Sequence, residues 1–193
     1  AAGSAIQIGS GFRINKVVGC LVINEDSDGP QSHVGIRITG NSAGASLIAN
    51  NTVTNMDIGI EHVEGTVASR VSTPSIFYGN ILYSVADGIK NTQNSSTVNF
   101  GLIAISNSFG AVTTAQTTNL ASVIDSVTLT ESPFIDTTNF QLNNAPGGGA
   151  LLKGKLGRGS RFDPSLLSTD PRIDFPTFGG ILPNPVGEIT RSF

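Results

Sequence analysis

The chain has 193 residues and a mass of 19.9 kDa, the size of one domain or of one array of repeats. Charged residues make up only 13% of it and apolar residues 38%, which argues against a soluble helical bundle, because such bundles need Glu, Lys and Ala in quantity. The net charge of −3 gives no global attraction to nucleic acid or to an anionic membrane.

The single cysteine, Cys20, excludes an internal disulfide framework and a zinc site built from cysteines. It lies in an apolar run, Val17–Ile23, which predicts a buried and unreactive thiol. No run reaches the ~18 apolar residues that a membrane helix needs. We therefore expect no membrane insertion.

The first part of the chain reads as short strands. Residues 4–23 alternate weakly between apolar and polar side chains and predict two strands around a Gly-rich corner. Residues 25–32 (EDSDGPQS) predict a polar turn, and residues 33–39 (HVGIRIT) resume the strand pattern.

Residues 47–109 contain three copies of one sequence pattern. LIANNTVTNMDIGI (Leu47–Ile60) aligns with IFYGNILYSVADGI (Ile76–Ile89), and a third copy begins at Ile103 as IAISNSF. The fixed points are Asn51, Asn80 and Asn107 and the pairs Gly59-Ile60 and Gly88-Ile89, with Gly35-Ile36 as an earlier partner. A drifting period of 29 and 27 residues in strand-type sequence predicts stacked coils of parallel β-strands.

Corner geometry explains the fixed points. We predict that the repeated Asn adopts the left-handed conformation at a tight corner and bonds to the backbone of the next corner. We predict that the Gly before Ile serves a second corner that needs a positive φ. Residues 64–74 and 91–99 predict loops at corners, and residues 120–129 favour a strand over a helix, although Leu120, Val123, Ile124 and Val127 also fit helical spacing.

The character of the chain changes after Ser132. Six of the nine prolines lie between residues 146 and 193, at positions 146, 164, 171, 176, 183 and 185, and proline cannot donate within a central strand. We therefore divide the chain into β-coils over residues 1–131 and an extended Pro/Gly-rich segment over residues 132–193. That segment would lie along the stack, cap its end or reach a neighbouring subunit.

The Asn-x-apolar and Gly-Ile pattern, over roughly residues 11–112, resembles the right-handed parallel β-helix superfamily, the pectate-lyase-like fold. The family includes polysaccharide lyases and hydrolases, surface adhesins, and phage tailspike or tail-fibre proteins. The resemblance implies an all-β solenoid. The Trp-Ile-Asp-His stretch of the lyases is absent, and of the hydrolase motifs only Arg13-Ile14-Asn15 is a superficial echo. These departures weigh against an enzyme of either group.

The densest polar cluster comprises Asp57, Glu61, His62 and Glu64. Glu61 or Glu64 would act as an acid or base, or the group would hold a divalent cation. The alternative, which we favour, is a solvated strand edge. Glu25, Asp26 and Asp28 offer oxygen ligands for Ca²⁺, but their spacing misses the EF-hand pattern, so we expect a solvated turn, no metal site and no cofactor.

Two further groups offer binding chemistry. Tyr78 and Tyr83 are candidates for stacking on a sugar ring, because an aromatic face suits the apolar face of a pyranose. A basic run (Lys153, Lys155, Arg158 and Arg161) would bind an anionic glycan or an acidic partner, or form a solvated turn.

We expect a structural or adhesion module of a virion, a cell surface or a secreted assembly, in contact with glycans. The alternative is a polysaccharide lyase or glycoside hydrolase whose site is shared between subunits. A short solenoid exposes unpaired strand edges at both ends, so we also expect a homotrimer, a filament or a larger parent chain.

Overall fold

Parallel strands dominate this computed structural model, which describes residues 3–9, 14–25, 33–39, 45–63, 75–92, 99–117, 120–136 and 140–152. The strands are β1 (Ser4–Ile8), β2 (Ile14–Val18), β3 (Leu21–Ile23), β4 (Val34–Thr39), β5 (Ala45–Ala49), β6 (Thr52–Val63), β7 (Ser75–Tyr78), β8 (Ile81–Asn91), β9 (Asn99–Ile105), β10 (Ser108–Gln116), β11 (Leu120–Ile124) and β12 (Val127–Leu129), followed by one helical turn, α1 (Gly149–Leu152).

The strands form two parallel sheets. Sheet A has the order β1-β4-β6-β8-β10-β12, with β3 also paired to β6, and sheet B has the order β11-β9-β7-β5-β2. The chain alternates between the sheets, and each strand pairs with its equivalent about 19 to 31 residues along, as in Leu47 beside Ile76 and Ser108 beside Val127. The expectation of an all-β, parallel protein is confirmed. We call β2–β4, β5–β6, β7–β8, β9–β10 and β11–β12 passes 1 to 5.

A two-residue corner leads from sheet B to sheet A in every pass. Its first residue has a positive φ between 52° and 70°, at Gly19, Asn50, Gly79, Ser106 and Asp125. Its second residue is the repeated Asn in passes 2 to 4. The prediction that the repeated Asn itself is left-handed was therefore wrong, because the left-handed residue precedes it.

A second bend lies inside the long strands of sheet A. Asn55, Ser84 and Ala111 occupy equivalent places in β6, β8 and β10, and each has a positive φ near 50–58°. The bend divides each of these strands into a short run and a longer run. The short runs pair with β3 beside β6 and with β12 beside β10, and the longer run of β6 pairs with β4, which in turn pairs with β1.

The glycines before Ile do not form this bend, so that prediction was wrong as well. Gly59 and Gly88 lie inside strands, and the positive-φ glycines of the described chain are Gly19 and Gly79. Close packing requires Gly instead. A Cβ at Gly88 would lie 2.3 Å from the Ala115 carbonyl oxygen and 2.7 Å from the Phe109 ring, and a Cβ at Gly59 would lie 2.8 Å from the Gly88 carbonyl oxygen.

The core between the sheets consists of apolar columns, as expected where parallel strands stack like side chains on like. Buried residues in register form three such columns: Ile36–Ile60–Ile89, Val22–Val53–Leu82–Phe109 and Val17–Ile48–Phe77–Ala104.

The segment after β12 packs on the outer face of sheet A. The Phe134 ring meets Tyr83 edge-on at 5.9 Å and Phe140 at 5.1 Å, and an antiparallel bridge joins Phe134 to Leu142. Leu152 is fully buried in the same cluster. Residues 133–136 and 140–152 therefore lie along the stack, which is one of the three placements considered for the C-terminal segment. None of the helices among the described residues is long and apolar enough to cross a membrane.

Candidate functional site

Oppositely charged side chains line up across three neighbouring strands. The residue after each Gly-Ile pair is Arg37 in β4, Glu61 in β6 and Lys90 in β8, and the parallel register places the three side by side. Arg37 Nε donates to Glu61 Oε2 at 2.6 Å, and the Glu61 side chain is only 7% exposed. Lys90 Nζ donates to Asp87 Oδ2 at 2.7 Å. We call these four residues the charged ladder.

His62 occupies the next column, between Ile38 and Asn91. His62 is only 4% exposed. Desolvation lowers the pKa of its imidazole, and a hydrogen bond with Asn91 acts in the opposite direction. Nδ1 has no hydrogen-bond partner in the described part of the chain. The imidazole is therefore neutral near pH 7, at the buried end of β6.

The chemistry open to the ladder follows from its pairing. The Arg37 guanidinium lies against the Glu61 carboxylate, so Glu61 Oε2 already accepts a hydrogen bond from a neighbouring strand. Asp57 lies four residues before Glu61 on the same strand, or roughly 13 Å at about 3.3 Å per residue. Carboxyl pairs in glycosidases lie only about 5–9.5 Å apart. The extended strand therefore holds Asp57 and Glu61 farther apart than the two carboxyl groups of a glycosidase.

The structure brings together part of the predicted polar cluster. Glu61 and His62 are buried neighbours, Asp57 is half-buried on the same strand, and Glu64 lies outside the described residues. The prediction of a solvated strand edge was wrong for Glu61 and His62, because the fold buries both. No group of three or more His, Cys, Asp or Glu residues is placed to hold a metal ion within the described ranges.

The predicted binding residues lie elsewhere. Tyr78 and Tyr83 are half-buried and belong to the apolar cluster on the outer face of sheet A, where Phe134 contacts Tyr83. Lys153, Lys155, Arg158 and Arg161 lie outside the described residues, as do Asp26 and Asp28, whereas Glu25 is described and exposed.

Sequence reasoning missed Arg37, Lys90 and Asn91. The signal was present, because aligning Gly35-Ile36 with Gly59-Ile60 and Gly88-Ile89 places Arg, Glu and Lys in one column. The column after it then holds Ile38, His62 and Asn91.

A second polar array, the asparagine column, lies deeper in the molecule. Asn51, Asn80 and Asn107 are each 0% exposed. Asn80 Oδ1 accepts hydrogen bonds from the backbone N–H and from Nδ2 of Asn51, at 3.0 and 2.9 Å, and Asn80 Nδ2 donates to the Ile48 carbonyl at 2.9 Å. Asn107 repeats this pattern toward Asn80 and Phe77. The prediction that the repeated Asn bonds to a neighbouring corner's backbone is confirmed.

The column has defined ends. At one end the backbone N–H of Cys20 donates to Asn51 Oδ1 at 2.9 Å. At the other end, the position equivalent to Asn107 in pass 5 is Ser126, which is exposed. The column therefore ties passes 1 to 4 together at one corner.

No family model, no curated protein and no solved structure matches this chain.

Proposed function

We propose that this chain is a non-enzymatic structural and adhesion module: a right-handed parallel β-helix of about four to five coils within a secreted, cell-surface or virion assembly. The asparagine column is the observation that carries the proposal. Its amides are fully buried, and their bonds run from one pass to the next.

Burial explains why such an array favours cohesion over catalysis. A buried amide without partners costs about 1–3 kcal/mol, so it persists where neighbours satisfy it. Here each amide is satisfied by the adjoining passes and leaves no atom directed at a ligand. The ladder behaves alike, since Arg37 pairs with Glu61 and Lys90 with Asp87. Both arrays therefore support a scaffold.

The scaffold role is tested against polysaccharide cleavage. Purified chain is incubated with polygalacturonate, alginate and hyaluronan, and reducing ends and unsaturated products are measured. We expect no release above a buffer control. Cleavage that Glu61→Gln or Asp57→Asn abolishes, in variants with unchanged β-sheet circular dichroism, would overturn the proposal in favour of a lyase or hydrolase.

Adhesion to glycans is tested separately, because a scaffold without a contact role is an inert spacer. We expect binding on a glycan array that Tyr83→Ala reduces at least tenfold and that Tyr83→Phe, which keeps the ring, leaves largely intact. An array without signal for the unaltered chain would remove adhesion from the proposal and leave the spacer role.

A further inference from the structure

The last pass of the molecule is incomplete. Pass 5 contains β11 and β12, and after Leu129 the chain leaves the sheets, as the Thr130 N–H bonds to the Gly147 carbonyl at 2.9 Å. β12 pairs only with residues 108–110 of β10. Residues 112–116 of β10 therefore have no described strand on the side away from β8. We call this end, formed by β11, β12 and residues 112–116 of β10, the ledge; no described strand continues pass 5 beside residues 112–116.

The first end has the opposite shape. β1 pairs with β4, and the register through β4, β6 and β8 aligns its Ser4 and Ile6 with Thr114 and Gln116 of β10, but β1 belongs to the level before pass 1. β2 and β3 lie one level further in, beside β5 and β6. We call β1 the overhang, because it lies one level beyond β2 and β3 at this end.

The two ends match in length. β2 and β3 at the first end have 5 and 3 residues, and β11 and β12 at the other end also have 5 and 3. In the continued register, Ser4 and Ile6 of β1 would lie beside Thr114 and Gln116. Each end has a two-residue corner between the last two strands, and the first corner residue has a positive φ, 70° at Gly19 and 52° at Asp125. A second copy that continues the stack would place its β1 where pass 5 lacks a strand.

The side chains match as well. Val123 continues the column of Val17, Ile48, Phe77 and Ala104, whose members are at most 8% exposed, yet Val123 is 43% exposed. In the continued register, Val17 of the next copy would cover Val123, and Val18 of that copy, 43% exposed, would meet Ile124, 37% exposed. Val127 would meet Leu21, and Leu129 would meet Ile23.

The edges carry little charge and no proline, although β11 has one irregularity, a register shift against β9 between Leu120 and Ser122. Natural edge strands are protected by charge, proline or bulges. The open run of β10, β11 and β12 contain no charged residue and no proline, and Lys16 is the one charged residue in β1, β2 and β3. Both ends are therefore suited to accept a parallel strand.

We propose that copies of this chain stack head to tail, the overhang of one copy filling the ledge of the next, so that the parallel sheets and the core run through the junction. The inference rests on the proposed scaffold function and supplies its partner, a second copy. Because the contact joins two different surfaces without closing a ring, it produces linear oligomers rather than a single dimer.

Sedimentation velocity on two single-end variants tests the proposal. Val18→Lys blocks the overhang end and Ile124→Lys blocks the ledge end, each by placing a charge at an exposed edge position. We expect the unaltered chain to form species above the 19.9 kDa monomer that lengthen with concentration. Each variant alone should remain a monomer, and an equal mixture should form a dimer of twice that mass and nothing longer.

The matched control is Ile135→Lys, which adds the same charge at a residue that is 62% exposed and belongs to neither sheet. It should assemble like the unaltered chain. An unaltered chain that stays monomeric at several hundred micromolar, with its β-sheet circular dichroism intact, would overturn the inference. So would assembly that only one of the two variants abolishes, because that indicates contact between like ends. Neither result bears on the glycan and cleavage tests, so the two proposals fail separately.

Discussion

Asn80 couples three passes through one side chain. It accepts from Asn51, donates to the Ile48 carbonyl and donates to Asn107 Oδ1 at 2.8 Å, while its own N–H bonds to the same oxygen at 3.1 Å. Strand pairing in a parallel sheet is indifferent to a slip of two residues, but this amide fits one register only. The column therefore fixes alignment as well as adding cohesion.

Replacing Asn80 with Leu, which is close in volume, should lower the free energy of unfolding by about 3 kcal/mol or more, because several buried partners lose their bonds at about 1–3 kcal/mol each. Urea denaturation measures this. Asn55→Gly is the control: Asn55 is exposed with a φ of 58°, which glycine adopts readily, so we expect a change within about 0.5 kcal/mol. Equal effects at the two positions would contradict the role of the column.

His62 makes stability depend on pH. Its pKa in the folded protein lies below the ordinary histidine value of 6.5, since burial disfavours the charged form. The unfolded chain therefore binds more protons between the two pKa values, and folding stability is fully present above pH 6.5 and declines as pH falls toward the folded pKa.

His62→Gln should flatten this decline, measured as urea midpoints from pH 7.5 to 4.5. His33→Gln is the control, because it removes the other histidine of the chain, which is only half-buried, and the decline should persist in it. A slope that survives in the His62 variant would show that carboxylates rather than this imidazole govern the acid limb.

At the scale of the strand, glycine sets how closely neighbouring strands of sheet A pack. Gly35, Gly59 and Gly88 stack in register, and at each a Cβ would meet the side chain that fills the core, Val53 at Gly35 and Leu82 at Gly59. The next residue in the column is Ala115, at the last strand of that run. The column therefore changes from glycine to alanine at β10, the last described strand of that run.

Gly88→Ala should destabilise the fold by about 1–3 kcal/mol, the usual range for overpacking a core, because the added carbon meets the rigid Ala115 carbonyl and the Phe109 ring. Thermal and urea unfolding report the loss. Gly9→Ala is matched to it, since nothing lies within 4 Å of a Cβ there, and it should be neutral or slightly stabilising. If both variants unfold together, close packing is not the reason for glycine.

The sequence predicted the strand columns because the offsets of 29 and 27 residues align Asn, Ile and Gly directly. It misplaced the left-handed residues, because Ser106, Ser84 and Ala111 adopt positive φ without the Gly or Asn that usually signals it. The strand pairing on either side of these residues imposes that conformation. No local pattern within a single pass predicts it.

The candidate site was predicted only in part for a related reason. Glu61 and His62 were identified from their neighbours along the strand, but their partners, Arg37 and Asn91, belong to other passes. The offset from pass 1 to pass 2 is 24 residues here, against 29 for the next pair, so a constant period does not align them. Contacts across strands require the register.

At the scale of the whole molecule, the stack consists of equivalent passes, so deletion of one whole pass should keep the register of the others. Removing residues 81–107 joins Asn80 to Ser108 and takes out one register unit, since Ile81 pairs with Ser108. We expect a folded, less stable protein whose urea m-value falls with the surface buried. Removing residues 81–94 breaks the register and should leave no cooperative transition. A folded product from the second deletion would argue against stacked passes.

The two kinds of connection in this chain differ in how they tolerate change. From sheet B to sheet A the link always has two residues, as between Ala49 and Thr52 or Ile124 and Val127. From sheet A back to sheet B it ranges from three residues after Gln116 to eleven after Val63. Foreign peptides inserted between Val63 and Ser75 should thus be displayed without loss of folding, whereas one residue added at a two-residue corner should disrupt every later pass.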